Sequence, residues 1–221
     1  MIEAVFFDMA GTTVDDGESV LRAFERVLDR AELEGETRER ARNYVVETMG
    51  QSKIEVFTHL FASRAPELNR DFEEFFRDEV DRRGAREIPG VRSLIEDLTS
   101  SGVRVALTTG FSPETRELLV ERLGWADLVP VRVSPSDAGR GRPYPDMIWR
   151  AATELGVSDI RRTGAAGDTP SDIWSARRAG VGLVVGVLSG TGTVEDFAAL
   201  EVEHVLPSVV DANELFANEG A

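Results

Sequence analysis

The sequence contains no cysteine, a single lysine, two histidines, and no apolar run of membrane-spanning length. Without cysteine there are no disulfides, thiolate metal sites or cysteine nucleophiles. His59 and His204 alone supply little for a histidine-built centre, so any metal must sit on oxygen ligands. The longest apolar stretch, Val181 to Leu188, is of strand length, against the roughly 18 residues a membrane helix needs. No basic segment precedes the apolar N-terminus. The expectation is a cytoplasmic protein without a membrane partner. Acidic residues outnumber basic ones by 40 to 25, a net charge of −15 that argues against a nucleic-acid surface. Lys53 is the only lysine, so the other 24 basic residues are arginine. Such a composition suits a salt-rich cytoplasm or a GC-rich genome.

What is present points to a folded enzyme-sized unit. The 221 residues are 42% hydrophobic and 29% charged, which suits one packed core with an insertion. Ile2 to Phe7 is an apolar run of strand length that stops at Asp8 and is followed by Gly11, Thr12 and Thr13. From about Gly17 to Gly84 the period becomes helical, with Leu21, Phe24, Val27 and Leu28 on one face. Ala41, Val45 and Met49 share a second face, and Phe72, Phe75, Phe76 and Val80 a third. After the turn signal Ile88-Pro89-Gly90, strands at 103–107, 129–133, 162–166 and 182–187 alternate with helices at 112–123, 144–155, 171–179 and 194–200. A short strand near Val205 closes the series. This alternation predicts an α/β fold, a doubly wound parallel sheet with an inserted all-helical unit. The predicted division is a core of residues 1–14 and 89–221 and a helical cap of residues 15–88.

Ligands of such sheets bind at the carboxyl ends of the strands. Asp8, Thr109-Gly110, and Asp168 with Asp172 occupy those ends. A carboxylate at a strand tip beside a Gly-Thr loop can attack phosphorus while backbone N–H groups neutralise the phosphoryl oxygens; alone it reads equally as a cap. Asp168 and Asp172, four residues apart where a strand meets a helix, suit Mg²⁺, or else cap that helix through Asp168 or Ser171. If Asp8 converges on them, a cation resolves the repulsion. Thr109 and Gly110 offer a hydroxyl and an amide to a phosphoryl oxygen, and Arg142 a fixed charge that can pair with the nucleophile and the phosphoryl group. Lys53 sits in Ser52-Lys53-Ile54-Glu55, which has the spacing of a capping box. There the helix dipole lowers the affinity of the amine for a proton, as an imine-forming lysine requires. A chain that uses arginine for surface charge has kept one lysine, which favours a dedicated role for it. His59 falls on a different face of that helix, and His204 has no catalytic company.

These residues resemble the haloacid dehalogenase superfamily over essentially the whole chain. The string Asp8-Met-Ala-Gly-Thr-Thr-Val-Asp15, Arg142 within Gly-Arg-Pro-Tyr-Pro, and Met49-Gly50 followed by Lys53 resemble its phosphonatase branch, phosphonoacetaldehyde hydrolase and its phosphonatase-like relatives. The resemblance implies Mg²⁺ held by Asp8, the Ala10 position, Asp168 and Asp172. It implies catalytic roles for Asp8, Lys53 and Arg142, and substrate contacts from Gly11, Thr12, Met49, Thr109 and Gly110. The implied reaction is cleavage of the C–P bond of a carbonyl phosphonate through a lysine imine and an aspartyl phosphate. Ala10 stands where phosphatases of the superfamily carry a second aspartate as acid and base, and an imine makes that acid unnecessary. Val56 stands where family phosphonatases carry a histidine, which leaves the exact substrate open. The partners implied are a small phosphorylated or phosphonate substrate and, through the cap, a homodimer. The competing readings are a phosphatase of small phosphomonoesters, a metal-free dehalogenase, and a non-catalytic phosphate-binding module.

Overall fold

Alternation along the first strand sets the layers of the molecule. In the computed structural model, which describes residues 1–217, Val5 and Phe7 join one apolar cluster and Phe6 joins the other. That is the two-residue period of a strand buried on both faces. In chain order the elements are β1 (Ala4–Asp8), β2 (Val14–Asp15), α1 (Ser19–Arg30), α2 (Gly35–Glu47), α3 (Lys53–Phe61), α4 (Ala65–Arg83), β3 (Arg86–Glu87) and α5 (Val91–Ser100). There follow β4 (Arg104–Thr108), α6 (Pro113–Leu123), β5 (Val131–Val133), α7 (Pro135–Ala138), α8 (Asp146–Leu155), β6 (Thr163–Gly167) and α9 (Pro170–Ala179). The series ends with β7 (Leu183–Val187), α10 (Val194–Ala199), β8 (His204–Leu206) and α11 (Asn213–Phe216). Among the described residues no helix is long and apolar enough to cross a membrane.

Six strands form one parallel sheet in the order β5-β4-β1-β6-β7-β8. The expected α/β doubly wound sheet is therefore present. The chain winds outward from β1 through β4 and β5, then returns to β6 on its other side, so the crevice of the sheet opens at the tip of β1. The register places Asp8 beside Thr108, and on the other side β6 ends at Gly167 and delivers Asp168 just past its tip. Residues of α5, α6 and α11 pack on one face; Met147, Ile148 and Ala151 of α8 and Ala176 of α9 pack on the other.

Helices α1 to α4 interrupt the chain between β2 and β3, which pair antiparallel as Val14 with Glu87 and Asp15 with Arg86. Two-residue strands are too short to show any periodicity, so this ladder has no signature in the sequence. The helices pack on their aromatic faces, with the Phe24 ring 4.7 Å from Phe72 and 5.3 Å from Phe57 between centroids. Phe76 carries the apolar contact on to Phe111, 4.8 Å away, in the loop after β4.

Several expected boundaries shift for identifiable reasons. The helix expected from Tyr144 begins at Asp146, because a residue that precedes proline is pushed out of helical geometry. The helix expected from Ser171 begins one residue earlier, with Pro170 in the first turn, where its missing N–H costs nothing. Met49 lies beyond α2, which ends at Glu47, and so belongs to the loop leading to Lys53 rather than to a helix face. Phe72 is fully buried among three other phenylalanine rings. We expect Phe72→Ala to cost about 3–5 kcal/mol, read as a lower urea midpoint.

Candidate active site

The tips of β1, β4, β6 and β7, the loop after β2 and the segment around Lys53 enclose one cavity of about 460 Å³. Its walls include Asp8, Ala10 and Gly11 from β1 and its loop, Thr109 and Gly110 just after β4, Asp168 and Thr169 just after β6, Met49 and Gly50 from the loop between α2 and α3, and Lys53 from the start of α3. Arg142 also reaches it. The residues singled out from the sequence therefore converge, with two exceptions. Thr12 is completely buried outside the cavity wall, where its hydroxyl donates to Asp168 Oδ1 at 3.3 Å. Asp172 lies behind the wall, against Arg142.

Arg142 organises the floor. Its Nη1 meets Asp8 Oδ1 at 2.7 Å, and its Nε meets Asp172 Oδ1 at 2.7 Å. The remaining N–H groups donate to the carbonyl and hydroxyl of Thr108, at 2.9 and 2.8 Å, and to the Gly50 carbonyl at 3.3 Å. All five donors of this buried guanidinium are thus engaged. Asp172 also closes a capping box at the start of α9, its Oδ2 accepting from the Thr169 N–H and hydroxyl. The helix cap is therefore Thr169, not Asp168 or Ser171, because only Thr169 stands three residues before the carboxylate that completes the box.

Asp8, Asp168 and Asp172 are buried and offer carboxylate oxygens all within 4.8 Å of one another. Burial is the main cause that raises the Asp8 carboxyl well above its usual range, with Asp172 and Asp168 adding repulsion against the pull of Arg142. Burial and Asp172 likewise push Asp168 up to about 6. Three clustered carboxylates facing one guanidinium leave excess negative charge, and an oxygen-rich donor set of this kind suits a hard divalent ion. The site fits such a cation. Asp168 is fixed further by Thr191, whose N–H donates to Oδ2 at 2.8 Å and hydroxyl at 3.2 Å. The Cα atoms of Gly11 and Gly190 press so close to this carboxylate that a Cβ would fall 2.5 and 2.0 Å from Oδ2. Among the described residues the Ala10 carbonyl accepts no hydrogen bond and stays available.

Lys53 is 6% exposed, and among the described residues its ammonium makes no hydrogen bond or ion pair. Its Nζ lies 5.6 Å from the ring centroids of both Phe24, on α1, and Phe111, after β4. Burial lowers its pKa to about 8, opposed by Asp8 and assisted by Arg142. Burial thus comes before the other causes, and Lys53 stands in the first turn of α3, where the expected helix dipole acts. The expected capping box is not formed: Lys53 does open α3, but the Ser52 side chain makes no cap hydrogen bond and Glu55 is exposed.

A family model of haloacid dehalogenase-like hydrolases matches residues 2–180. The chain belongs to that family. It is 33% identical to a phosphonoacetaldehyde hydrolase from Bacillus cereus strain ZK / E33L over 226 residues, covering 94% of this chain and 83% of the relative. Among solved structures, a hydrolase from Pseudomonas syringae superposes with a TM-score of 0.84 at 20% identity, covering 99% of this chain and 100% of that one. A phosphonoacetaldehyde hydrolase-like protein from Oleispira antarctica superposes with a TM-score of 0.79 at 23% identity, covering 97% and 91%. Both likenesses show a common fold. This member of the hydrolase family sets a buried, unpaired lysine in the cavity that Asp8 and Asp168 of the aspartate cluster line.

The sequence reading missed several wall residues. Ser189, Gly190 and Thr191 follow β7, and the rule that chemistry gathers at strand tips applies to them as it does to Thr109. Asp16 also lines the cavity, and its position in a loop after a two-residue strand gave no signal.

The burial of Lys53 has a thermodynamic consequence with a definite sign. Its folded pKa, about 8, lies below the ordinary 10.5, so the unfolded chain holds more protons between those values and stability rises with pH across that window. Below it, keeping the ammonium buried costs on the order of 3 kcal/mol. We expect Lys53→Met to raise stability at pH 7, and its advantage to shrink from pH 8 to 10.5, as measured by denaturant melts.

Proposed function

We propose that this hydrolase cleaves the C–P bond of phosphonoacetaldehyde or a close carbonyl phosphonate, with Mg²⁺ as its cation. One observation carries the reading: the single lysine of the chain is buried, unpaired, and opens onto the cavity that holds Asp8. The identity to a phosphonoacetaldehyde hydrolase over nearly the whole chain supports it. The helices of residues 15–88 are read as a cap over a core of residues 1–14 and 89–221.

In this mechanism the neutral Lys53 amine condenses with the substrate carbonyl. The resulting imine turns the carbon of the C–P bond into a leaving group that departs as an enamine. Asp8 attacks phosphorus, and the C–P electron pair passes into the enamine. The aspartyl phosphate is then hydrolysed by water. Ala10 provides no side-chain acid, and an enamine leaving group calls for none. Arg142 holds Asp8 in one orientation by its ion pair. Gly11, Thr109 and Gly110 line the phosphoryl end, Met49 the substrate side, and Thr12 acts by fixing Asp168. Mg²⁺ bound by Asp8, the Ala10 carbonyl, Asp168 and Asp172 would neutralise phosphoryl oxygens and carboxylates alike.

The test is incubation with phosphonoacetaldehyde and Mg²⁺, reading phosphate release, and in parallel with borohydride, reading a mass adduct on Lys53. We expect both signals, loss of release with EDTA, and loss of both signals in Lys53→Arg, which keeps the charge but forms no imine. Adduct formation should speed up as pH rises through about 8, where Lys53 loses its proton. Phosphate release from phosphomonoesters with no adduct would replace this reading with a phosphatase.

A further inference from the structure

The imine chemistry proposed above needs a group that moves protons at Lys53, and we infer that Asp16 is that group. The inference rests on the carbonyl-phosphonate reading and adds a residue to it. A lysine ammonium must lose its proton before attacking a carbonyl, and the carbinolamine so formed must receive one before its hydroxyl can leave.

The cavity wall narrows the choice. Neither histidine lines it; the His59 ring stacks on Tyr44 with centroids 4.1 Å apart, and His204 lies beside Glu203. Asp8 and Asp168 belong to the phosphoryl end. Arg142 cannot give up a proton in the working range. Glu73 acts on the charge of Lys53 but accepts from Ser112 and Thr115 outside the wall. Of the acids that remain, Asp15 and Glu18 are exposed and held by the Gly17 N–H and Arg22 respectively. Asp16 alone is half-buried.

Local geometry holds it there. Gly17 and Glu18 both adopt left-handed backbone, φ 56° and 63°, and turn the chain sharply into α1. The turn returns the Val20 N–H to Asp16 Oδ2 at 2.9 Å, while the Ser19 N–H donates to the Asp16 carbonyl. Asp16 and Lys53 attract one another. They line one cavity without ion-pair contact, so the transfer calls for a water of that cavity as relay. Burial and Asp15 raise the Asp16 pKa, which eases acceptance of a proton.

The steps balance. Asp16 carboxylate takes a proton from the Lys53 ammonium, leaving a neutral amine and a carboxylic acid. The amine adds to the carbonyl carbon and its N–H proton moves to the alkoxide oxygen, giving the carbinolamine. The C–O bond then breaks, the hydroxyl leaving as water with the Asp16 proton, and the nitrogen lone pair forms the C=N bond of the iminium. After C–P cleavage and protonation of the enamine by solvent, water adds to the product iminium and Asp16 carboxylate takes the proton released; the carbinolamine hydroxyl proton then moves to nitrogen, the C–N bond breaks to free the aldehyde, and the Lys53 amine regains its proton from Asp16.

The test is Asp16→Asn, which keeps an oxygen for the Val20 N–H but carries no exchangeable acid. The readouts are the rate of borohydride-trapped adduct on Lys53 with phosphonoacetaldehyde, and binding of inorganic phosphate. We expect trapping to slow by about 10²-fold or more, phosphate binding to be unchanged, and rate to return with added formate or in Asp16→Glu. Trapping at the wild-type rate would overturn the role of Asp16 alone, as would slow trapping that neither formate nor Asp16→Glu restores. Absence of any adduct in the wild-type enzyme would instead overturn the carbonyl-phosphonate reading on which it rests. If Asp16→Asn does not fold, Asp16→Ser, which also offers an oxygen to Val20, is read by the same criteria.

Discussion

The site depends on one buried guanidinium. Arg142 sits between Asp8 and Asp172, and its fixed charge is what allows carboxylates this crowded to occupy the floor of a largely apolar crevice. Each contact ties it to a different part of the fold: Asp8 to β1, Thr108 to β4, Asp172 to α9 and Gly50 to the inserted helices. The arginine thus measures whether strands, helix and insertion are in register. A flexible ammonium could neutralise the same charge, but its three donors could not hold five acceptors in a fixed plane.

Lys53 stands in the opposite condition. Arg142 is saturated with partners, whereas the Lys53 ammonium is buried beside aromatic faces and, among the described residues, has no hydrogen bond. Two cations in one cavity are therefore prepared for different work. The first is kept charged and immobile; the second is made to release its proton by loss of hydration. The stability given up by burying the ammonium is the counterpart of that readiness.

The outline of the fold was legible because its cues are strong and local. Apolar runs ending at Asp8, Thr108 and Gly167 mark parallel strands, and the change of period after Gly17 marks the insertion. The aspartates and Lys53 were legible because chemistry sits at strand tips and because one lysine among arginines is conspicuous. What stayed hidden depends on distances between remote segments. The Thr12 hydroxyl donates to Asp168, 156 residues away in sequence, a contact that no local pattern announces. Asp172 had to be seen in place before its double use, capping α9 and pairing with Arg142, became visible. The burial that lowers the Lys53 pKa stayed hidden for the same reason, since burial is a property of the assembled molecule.

The ladder between β2 and β3 bears on how the inserted helices are anchored. The chain leaves the sheet through Val14–Asp15 and comes back through Arg86–Glu87, and these strands are hydrogen-bonded side by side. The two ends of the insertion are thereby held side by side, so the four helices hang from one anchored point of the chain instead of from two independent tethers. A loop whose ends are already joined has less freedom to lose, and the entropy of ordering residues 16–85 is reduced accordingly.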